Sequence, residues 1–240
     1  MTSAGEVLAW LRALPGLESC FYQPHQEVGF LLDAPPETVS GIEEELFEGA
    51  GPPLENLITD LYFLVPSKLW PETTLRMRSY AAGAHAGTVT LIATGRARAY
   101  ERVFVAILRQ DRPYPELVAH VHEIIAETVS PTVLLEVRKR RRAVFPAPFA
   151  FRCGGALATD YCNLAVDRQI AVRRARNGEM FALQHPFGLE SPSIVEVEWA
   201  GLGRPAGAAA LAKVNHSINR HRCRHRPKLR RKALDLVDAP

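Results

Sequence analysis

The side chains best suited to chemistry in this sequence are basic, and their densest group lies near the C-terminus. Residues 206–232 hold nine basic side chains and no acidic one. Like charges packed this densely repel one another, and an anionic polymer relieves the repulsion while it releases its own counterions. We therefore predict that this segment contacts the phosphates of nucleic acid or directs nuclear import. The candidate residues are Lys213, Arg220, Arg222, Arg224, Arg226, Lys228, Arg230, Arg231 and Lys232.

A second group of arginines has the spacing of a β-strand. Arg138, Arg140 and Arg142 would point to one face of an extended segment, because alternate residues of a strand share a face. Arginine pairs with the same spacing occur within 76–78 and 96–98. If these faces meet in one sheet, they form a cationic surface for phosphate; otherwise they are solvated strand faces. We take Arg138, Arg140 and Arg142 as a secondary nucleic-acid contact.

Two negatively charged residues alternate in a later segment, in contrast to the arginines. Glu196 and Glu198 lie in the sequence Ile-Val-Glu-Val-Glu-Trp and would share one strand face. Two carboxylates on one face can hold a hard divalent cation, which takes oxygen ligands and also binds phosphate oxygens. The residues thus form a candidate site for Mg²⁺ or Mn²⁺. The competing interpretation is the polar outer face of an edge strand.

This layout resembles that of the triphosphate-tunnel metal-dependent phosphohydrolases. The resemblance covers the Glu-x-Glu strand together with the arginine-bearing strands. It implies a metal-dependent activity on polyphosphate or on RNA ends, with Glu196 and Glu198 as metal ligands. That family also has a Glu-x-Glu on an early strand, whereas here Gly29 stands two residues after Glu27, where the second glutamate would be. Half of that metal site is therefore missing, and the sequence does not assign the chain to the family.

The elements that must position these residues are predominantly β-strands. Val-, Ile- and Thr-rich segments, tight turns and the absence of repeated strand–helix–strand units predict an α+β fold with a mainly antiparallel sheet. Asn177-Gly178 predicts a hairpin turn. Segments with helical spacing predict three or four helices, the last of them basic. The predicted helices span 3–14, 36–48, 113–129 and 208–226; the strands span 20–23, 27–33, 73–80, 88–94, 99–108, 132–145, 166–176, 179–184 and 193–199. Residues 54–65 are ambiguous between the two.

Charge is distributed unevenly along the chain. Residues 1–72 carry twelve acidic and two basic residues, although the whole chain has a net charge of +3. The segment 37–48 is a markedly acidic helix that could recruit a basic protein partner or dock the chain's own basic region. We predict one core domain at 1–205, with an acidic N-terminal third, and a basic helical tail at 206–240.

Several classes of protein are excluded or disfavoured. No apolar run approaches the roughly 18 residues of a membrane span, and no secretory signal segment is present. Four cysteines in 240 residues do not form a disulfide framework. There is no Gly-x-Ser-x-Gly motif, no phosphate-binding loop and no dinucleotide fingerprint.

Together these features favour a non-enzymatic nucleic-acid-binding accessory protein, with RNA or single strands preferred and with little sequence specificity. The twenty-four arginines against five lysines and the compact length would also suit a viral regulatory factor. We expect an intracellular location, nuclear or nucleolar, no membrane contact and no cofactor. One alternative is the divalent-metal phosphohydrolase, which requires Mg²⁺ or Mn²⁺. Another is an interaction subunit of a larger nuclear or viral assembly.

Overall fold

The protein is described here from a computed structural model. The structure describes residues 9–64, 73–96, 101–110, 112–129, 132–152, 158–176, 179–182 and 192–228. Residues 9–12 are helical, and three longer helices follow: α1 (Pro36–Phe47), α2 (Tyr114–Val129) and α3 (Arg204–Arg220). The strands are β1 (Leu17–Asp33), β2 (Leu54–Leu64), β3 (Thr73–Gly83), β4 (Val89–Arg96), β5 (Glu101–Leu108), β6 (Thr132–Arg152), β7 (Ala158–Arg176), β8 (Glu179–Ala182), β9 (Ser193–Ala200) and β10 (Arg224–Lys228). These elements confirm the predicted α+β class with a mostly antiparallel sheet.

Eight of the strands pair in a closed circuit. The hydrogen-bonded order runs β1, β5, β4, β3, β2, β6, β7 and β9, and β9 then pairs with β1 again. Every pairing in this circuit is antiparallel. A sheet that closes on itself has an inside and an outside, so each strand alternates between the interior and the surface of a barrel. The short strands β8 and β10 pair with β7 and β1 outside the circuit.

Two apolar cores lie on the outside of this barrel, beneath the helices. The first outer core packs α2 against β3, β4 and β5 through residues such as Val121, Met77 and Leu91. The second packs α1 and α3 against β1, β7 and β9, with Ile42 and Val214 fully buried. Helices that cover the barrel in this way leave its interior to the opposite set of side chains.

The basic C-terminal helix is not confirmed as predicted. Helix α3 ends at Arg220 rather than near 226, and only its residues at 204, 213 and 220 are basic. Arg222 has a φ of 51°, a left-handed conformation that breaks the helix. The chain then forms β10, which pairs with β1 from Gly29 to Asp33. The division into a core at 1–205 and a tail at 206–240 stays a prediction, but residues 206–228 pack against the barrel.

Strand β1 is continuous where the sequence predicts an interruption at Pro24. The residues up to His25 pair with β5, and the residues from Gln26 onward pair with β9. Pro24 lacks a backbone N–H, and it lies next to the point where pairing with β5 ends and pairing with β9 begins. A proline is therefore tolerated within this long strand. None of the helices in the described part of the chain is long and apolar enough to cross a membrane.

Candidate anion and metal site

Strand alternation places charged side chains inside the barrel. On β3, Leu75 and Met77 belong to the first outer core, so Arg76 and Arg78 point to the interior. On β6, Lys139 and Arg141 are buried and contact carboxylates of β2 and β7. The interior thus receives basic side chains from two strands that are separated in the sheet by β2.

Asp60 of β2 joins these two sets of cations. Its carboxylate is fully buried and accepts two hydrogen bonds from Arg78, Nε to Oδ1 at 2.7 Å and Nη2 to Oδ2 at 2.8 Å. Arg76 Nη1 lies 3.5 Å from Oδ2, and Lys139 Nζ lies 4.0 Å from the same atom. The paired, two-atom geometry with Arg78 fixes the plane of that guanidinium group.

Asp167 of β7 plays the same part on the other side of Lys139. Lys139 Nζ lies 2.6 Å from Asp167 Oδ2, and Arg141 donates two hydrogen bonds to the same carboxylate, at 2.6 and 2.8 Å. Arg141 Nη2 also donates to Glu196 Oε2 on β9. These ion pairs form one connected network, which we call the central ionic layer. It consists of Asp60, Arg76, Arg78, Lys139, Arg141 and Asp167.

The pKa values of this layer follow from its charges. Burial raises the pKa of Asp60, but the charges of Arg78 and Arg76 outweigh burial and hold the pKa far below its ordinary value. The pKa of Asp167 is also lowered, since Arg141 and Lys139 outweigh its burial. Burial and the charge of Arg141 lower the pKa of Lys139 to about 8. Near neutral pH the two aspartates are therefore ionised.

Three glutamates lie together next to this layer. Glu27 of β1 is paired in register with Glu198 of β9, and Glu196 is two residues away on the same strand face. One carboxylate oxygen from each residue lies within 4.8 Å of the other two. Glu196 is buried, and the other two are partly buried. We call these three residues the carboxylate cluster.

The donor set of the cluster fits a hard divalent cation. Oxygen atoms on opposite sides of one Mg²⁺ or Ca²⁺ ion are roughly 4 to 5 Å apart, which matches the spacing of the three carboxylates. Asn163 of β7 is paired in register with Glu198, and its buried Oδ1 has no hydrogen-bond partner in the described structure. A buried carbonyl oxygen without a donor is an additional oxygen ligand for such an ion.

The interior changes character along the barrel. Leu31, Val137, Ile170 and Ile194 belong to a buried apolar cluster contributed by β1, β6, β7 and β9. An extra residue in β7 keeps both Asp167 and Ile170 on the inner face: the register with β6 shifts there, and Gln169 has a φ of 51°. The apolar cluster therefore adjoins the central ionic layer at the end of the barrel where β1 finishes.

The predicted arginine trio lies on the other face of β6. Arg138, Arg140 and Arg142 point outward, because Lys139 and Arg141 occupy the inner positions between them. Each of the three has a carboxylate partner outside the barrel: Glu136 for Arg138, Glu55 for Arg140, and both the buried Glu43 and the partly exposed Glu55 for Arg142. They do not meet Arg76 and Arg78, as a shared cationic surface would require. The side chain of Arg96 and all of Arg98 lie outside the described residues.

Most of the predicted C-terminal basic residues are also placed by the structure. Lys213 donates to the backbone oxygens of Leu46 and Glu48 at the end of α1, and Arg220 pairs with Glu45 at 3.4 Å. The acidic helix α1 thus packs against α3 through these two basic side chains. The remaining placements are Arg222, exposed after α3; Arg224, 3.5 Å from Asp33; Arg226 and Lys228, within β10; and Arg230, Arg231 and Lys232, outside the described residues.

The sequence reasoning found Glu196 and Glu198 but missed the buried partners of the arginines. A single acid within an otherwise apolar strand is the signal for Asp60, in Leu-Ile-Thr-Asp-Leu-Tyr, and for Asp167, in Leu-Ala-Val-Asp-Arg. A charge in such a position is stable only when it is paired. Lys139 and Arg141 carry a signal too, since they share their strand face with the buried Val137.

Comparison with known proteins gives structural similarity only. No protein-family model and no curated protein matches the chain. A candidate adenylate cyclase from Bacillus halodurans is similar, with a TM-score of 0.47 and 12% identity over 91% of this chain and 99% of that one. HpAC1 from Hippeastrum is described as a candidate adenylyl cyclase with a dominant triphosphatase activity. Its TM-score is 0.43 and its sequence identity is 13%, over 84% of this chain and 89% of that one. The PH1819 protein from Pyrococcus horikoshii OT3 has a TM-score of 0.43 and 15% identity, over 82% of this chain and 90% of that one. A likeness at this level assigns neither a family nor an activity.

The prediction of a non-enzymatic nucleic-acid-binding protein is wrong, and so is the viral description that went with it, whereas the nuclear or nucleolar location stays a prediction. Within the described residues, Lys139 and Arg141 line the barrel interior, and Arg140, Arg142 and Arg220 on the outside pair with the protein's own carboxylates. These arginines do not form the open cationic surface that a nucleic-acid backbone needs.

Proposed function

We propose that the protein is a divalent-metal-dependent phosphohydrolase that acts on a terminal phosphate chain, of polyphosphate or of an RNA end. One observation carries the proposal: the central ionic layer and the carboxylate cluster lie in the same barrel interior, and the Arg141–Glu196 hydrogen bond connects them. Phosphoryl transfer depends on positioning and on electrostatic stabilisation of the phosphate oxygens, for which cations and a metal ion side by side are suited.

The basic side chains would bind the substrate. Arg78 and Arg141 are held by two-atom contacts to Asp60 and Asp167, so their orientation is fixed before a substrate enters. A guanidinium group presents several N–H donors in one plane, and those not used by an aspartate remain for phosphate oxygens. Arg76 lies at the partly buried side of the layer and adds a further donor.

The carboxylate cluster would hold the metal ion. Glu27, Glu196 and Glu198 would supply three oxygen ligands, and Asn163 would supply a fourth. A bound divalent cation neutralises charge on the phosphate chain and lowers the pKa of a water molecule that can attack phosphorus. Arg141 contacts Glu196 and would orient that carboxylate toward the ion.

The test is phosphate release from inorganic triphosphate and from 5′-triphosphorylated RNA, with added Mg²⁺ or Mn²⁺. We expect turnover that needs the metal and falls at least about a hundredfold in Glu196→Gln, because the substitution removes a charged ligand. Glu55→Gln is the matched control: it removes one carboxylate charge on the barrel exterior and should retain activity. No release from either substrate with either metal would contradict the proposal.

A further inference from the structure

The described charges of the central ionic layer and the carboxylate cluster do not sum to a positive excess. In these two groups, carboxylates outnumber cations by five to four. The cations are Arg76, Arg78, Lys139 and Arg141; the carboxylates are Asp60, Asp167, Glu27, Glu196 and Glu198. A phosphate chain would add several negative charges beside these two groups, which together are already near neutrality.

Each of these four cations already has a carboxylate partner. Arg78 engages both oxygens of Asp60, and Arg141 engages both oxygens of Asp167. Lys139 lies between the two aspartates, at 2.6 Å from one and 4.0 Å from the other. A buried charge that is already paired attracts a new anion far less than an unpaired charge does, because the two carboxylates would repel that anion.

We propose that Asp60 and Asp167 are positioning residues that keep the interior cations neutralised, so that the barrel accepts a phosphate chain only as its complex with divalent cations. This inference rests on the proposed function and assigns the form in which the substrate binds. The aspartates fix the planes of Arg78 and Arg141, and they also set a charge balance that excludes the metal-free polyanion. Binding, and not only turnover, is then metal-dependent.

The experiment is calorimetric titration of the full-length protein with inorganic triphosphate, once with excess Mg²⁺ and once with a chelator. We expect wild type to bind with Mg²⁺ and at least about a hundredfold more weakly without it. Asp60→Asn removes one interior negative charge and leaves Arg76 and Arg78 without their partner. Its metal-free affinity should rise by about tenfold or more, while kcat in Mg²⁺ falls because the guanidinium planes are no longer fixed.

Glu55→Gln again serves as the control, since it makes the same change of charge outside the barrel and should leave both titrations unchanged. A general loss of structure in Asp60→Asn would weaken binding under both conditions, whereas the inference requires tighter metal-free binding. If that variant does not fold, Asp167→Asn tests the same prediction through Arg141, and the two wild-type titrations test it without any substitution.

The outcomes separate the two proposals. Tight wild-type binding in chelator, equal to that in Mg²⁺, would overturn the charge-balance inference and leave the proposed function standing. Metal-dependent wild-type binding with no gain in metal-free affinity in either aspartate variant would overturn the role of Asp60 and Asp167 only. Absence of triphosphate binding under both conditions would overturn the inference together with the proposed function.

Discussion

Strand β6 carries two sets of basic side chains that differ in almost every physical respect. Lys139 and Arg141 point inward, are nearly fully buried and engage Asp60, Asp167 and Glu196. Arg138 and Arg140 alternate with them, point outward and keep about half or more of their side-chain surface exposed. Both sets are basic and lie on the same strand, and they differ in the side of the strand to which they point.

The difference teaches that position on the sheet, not residue type, decides what an arginine does. An exposed pair such as Arg140–Glu55 gains little, because water screens both charges. A buried group such as Arg141 is costly to desolvate and is stable only while its partners remain. The inner set therefore behaves as one connected network, whereas each outer arginine acts by itself.

The largest effect is expected when the inner network is broken at Arg141. Arg141→Met leaves Asp167 and Glu196 without their shared donor, and the loss of one partner of a buried ion pair costs about 3–5 kcal/mol. Urea denaturation at neutral pH measures this cost. An effect no larger than that of Arg140→Met would show that the inner network does not hold the barrel together.

A smaller loss of stability is expected from the buried ion pairs that Glu43 makes outside the barrel. Glu43 of α1 is 2% exposed, and it pairs with Arg142 and with Arg168. Glu43→Gln removes the charge while it keeps the shape, so we expect a loss of about 1–3 kcal/mol in the free energy of unfolding. Thermal unfolding of this variant beside Glu44→Gln, whose carboxylate is exposed on the same helix, isolates the contribution of burial.

Lowering the pH should weaken the inner network, because it removes the stability that Asp60 and Asp167 contribute. The pKa values of Asp60 and Asp167 are lowered in the folded protein, so their contribution to stability is complete above the unfolded pKa near 4. As the pH falls from 5 to 3 the unfolded chain takes up the protons, and we expect each aspartate to lose about 1 kcal/mol. Denaturation midpoints of wild type and Asp167→Asn across this range should converge as the pH falls; parallel curves would contradict the pKa direction.

The smallest effect is expected for an exposed arginine on the outer face of β6. Arg140→Met breaks only the pair with Glu55, in which both side chains are nearly half exposed. We expect a change below about 1 kcal/mol that disappears in high salt. A larger, salt-independent loss would mean that the outward face of β6 packs more tightly than its exposure indicates.

Much of the fold could be predicted from local signals. The α+β class follows from strand-rich segments and from their turns, and β7 and β8 pair on either side of Asn177-Gly178 as the turn signal predicts. The helix over 36–48 was identified from Pro36 and from its apolar stripe, and the structure places it at Pro36–Phe47. Local patterns of this kind depend only on neighbouring residues, which a single sequence provides.

The site could be predicted only in part, because its assembly depends on strand order. Glu196 and Glu198 were found from alternation, but their companion Glu27 reaches them only through the β1–β9 pairing, across about two thirds of the chain. The face of β6 that points inward is set by the ring as a whole. Counting arginines at every second position therefore selected Arg138, Arg140 and Arg142, which lie on the wrong side of the strand for an interior site.

The pairing of β1 with β9 also bears on how the chain is made. The barrel joins residues 26–32 to residues 193–199, so its wall stays open during synthesis until the last of these strands has left the ribosome. Until then Asp60, Arg78 and Asp167 remain in water, and their dehydration falls in the closing step. An open sheet also exposes the unpaired edge of β1, which a second chain could occupy with its own β9.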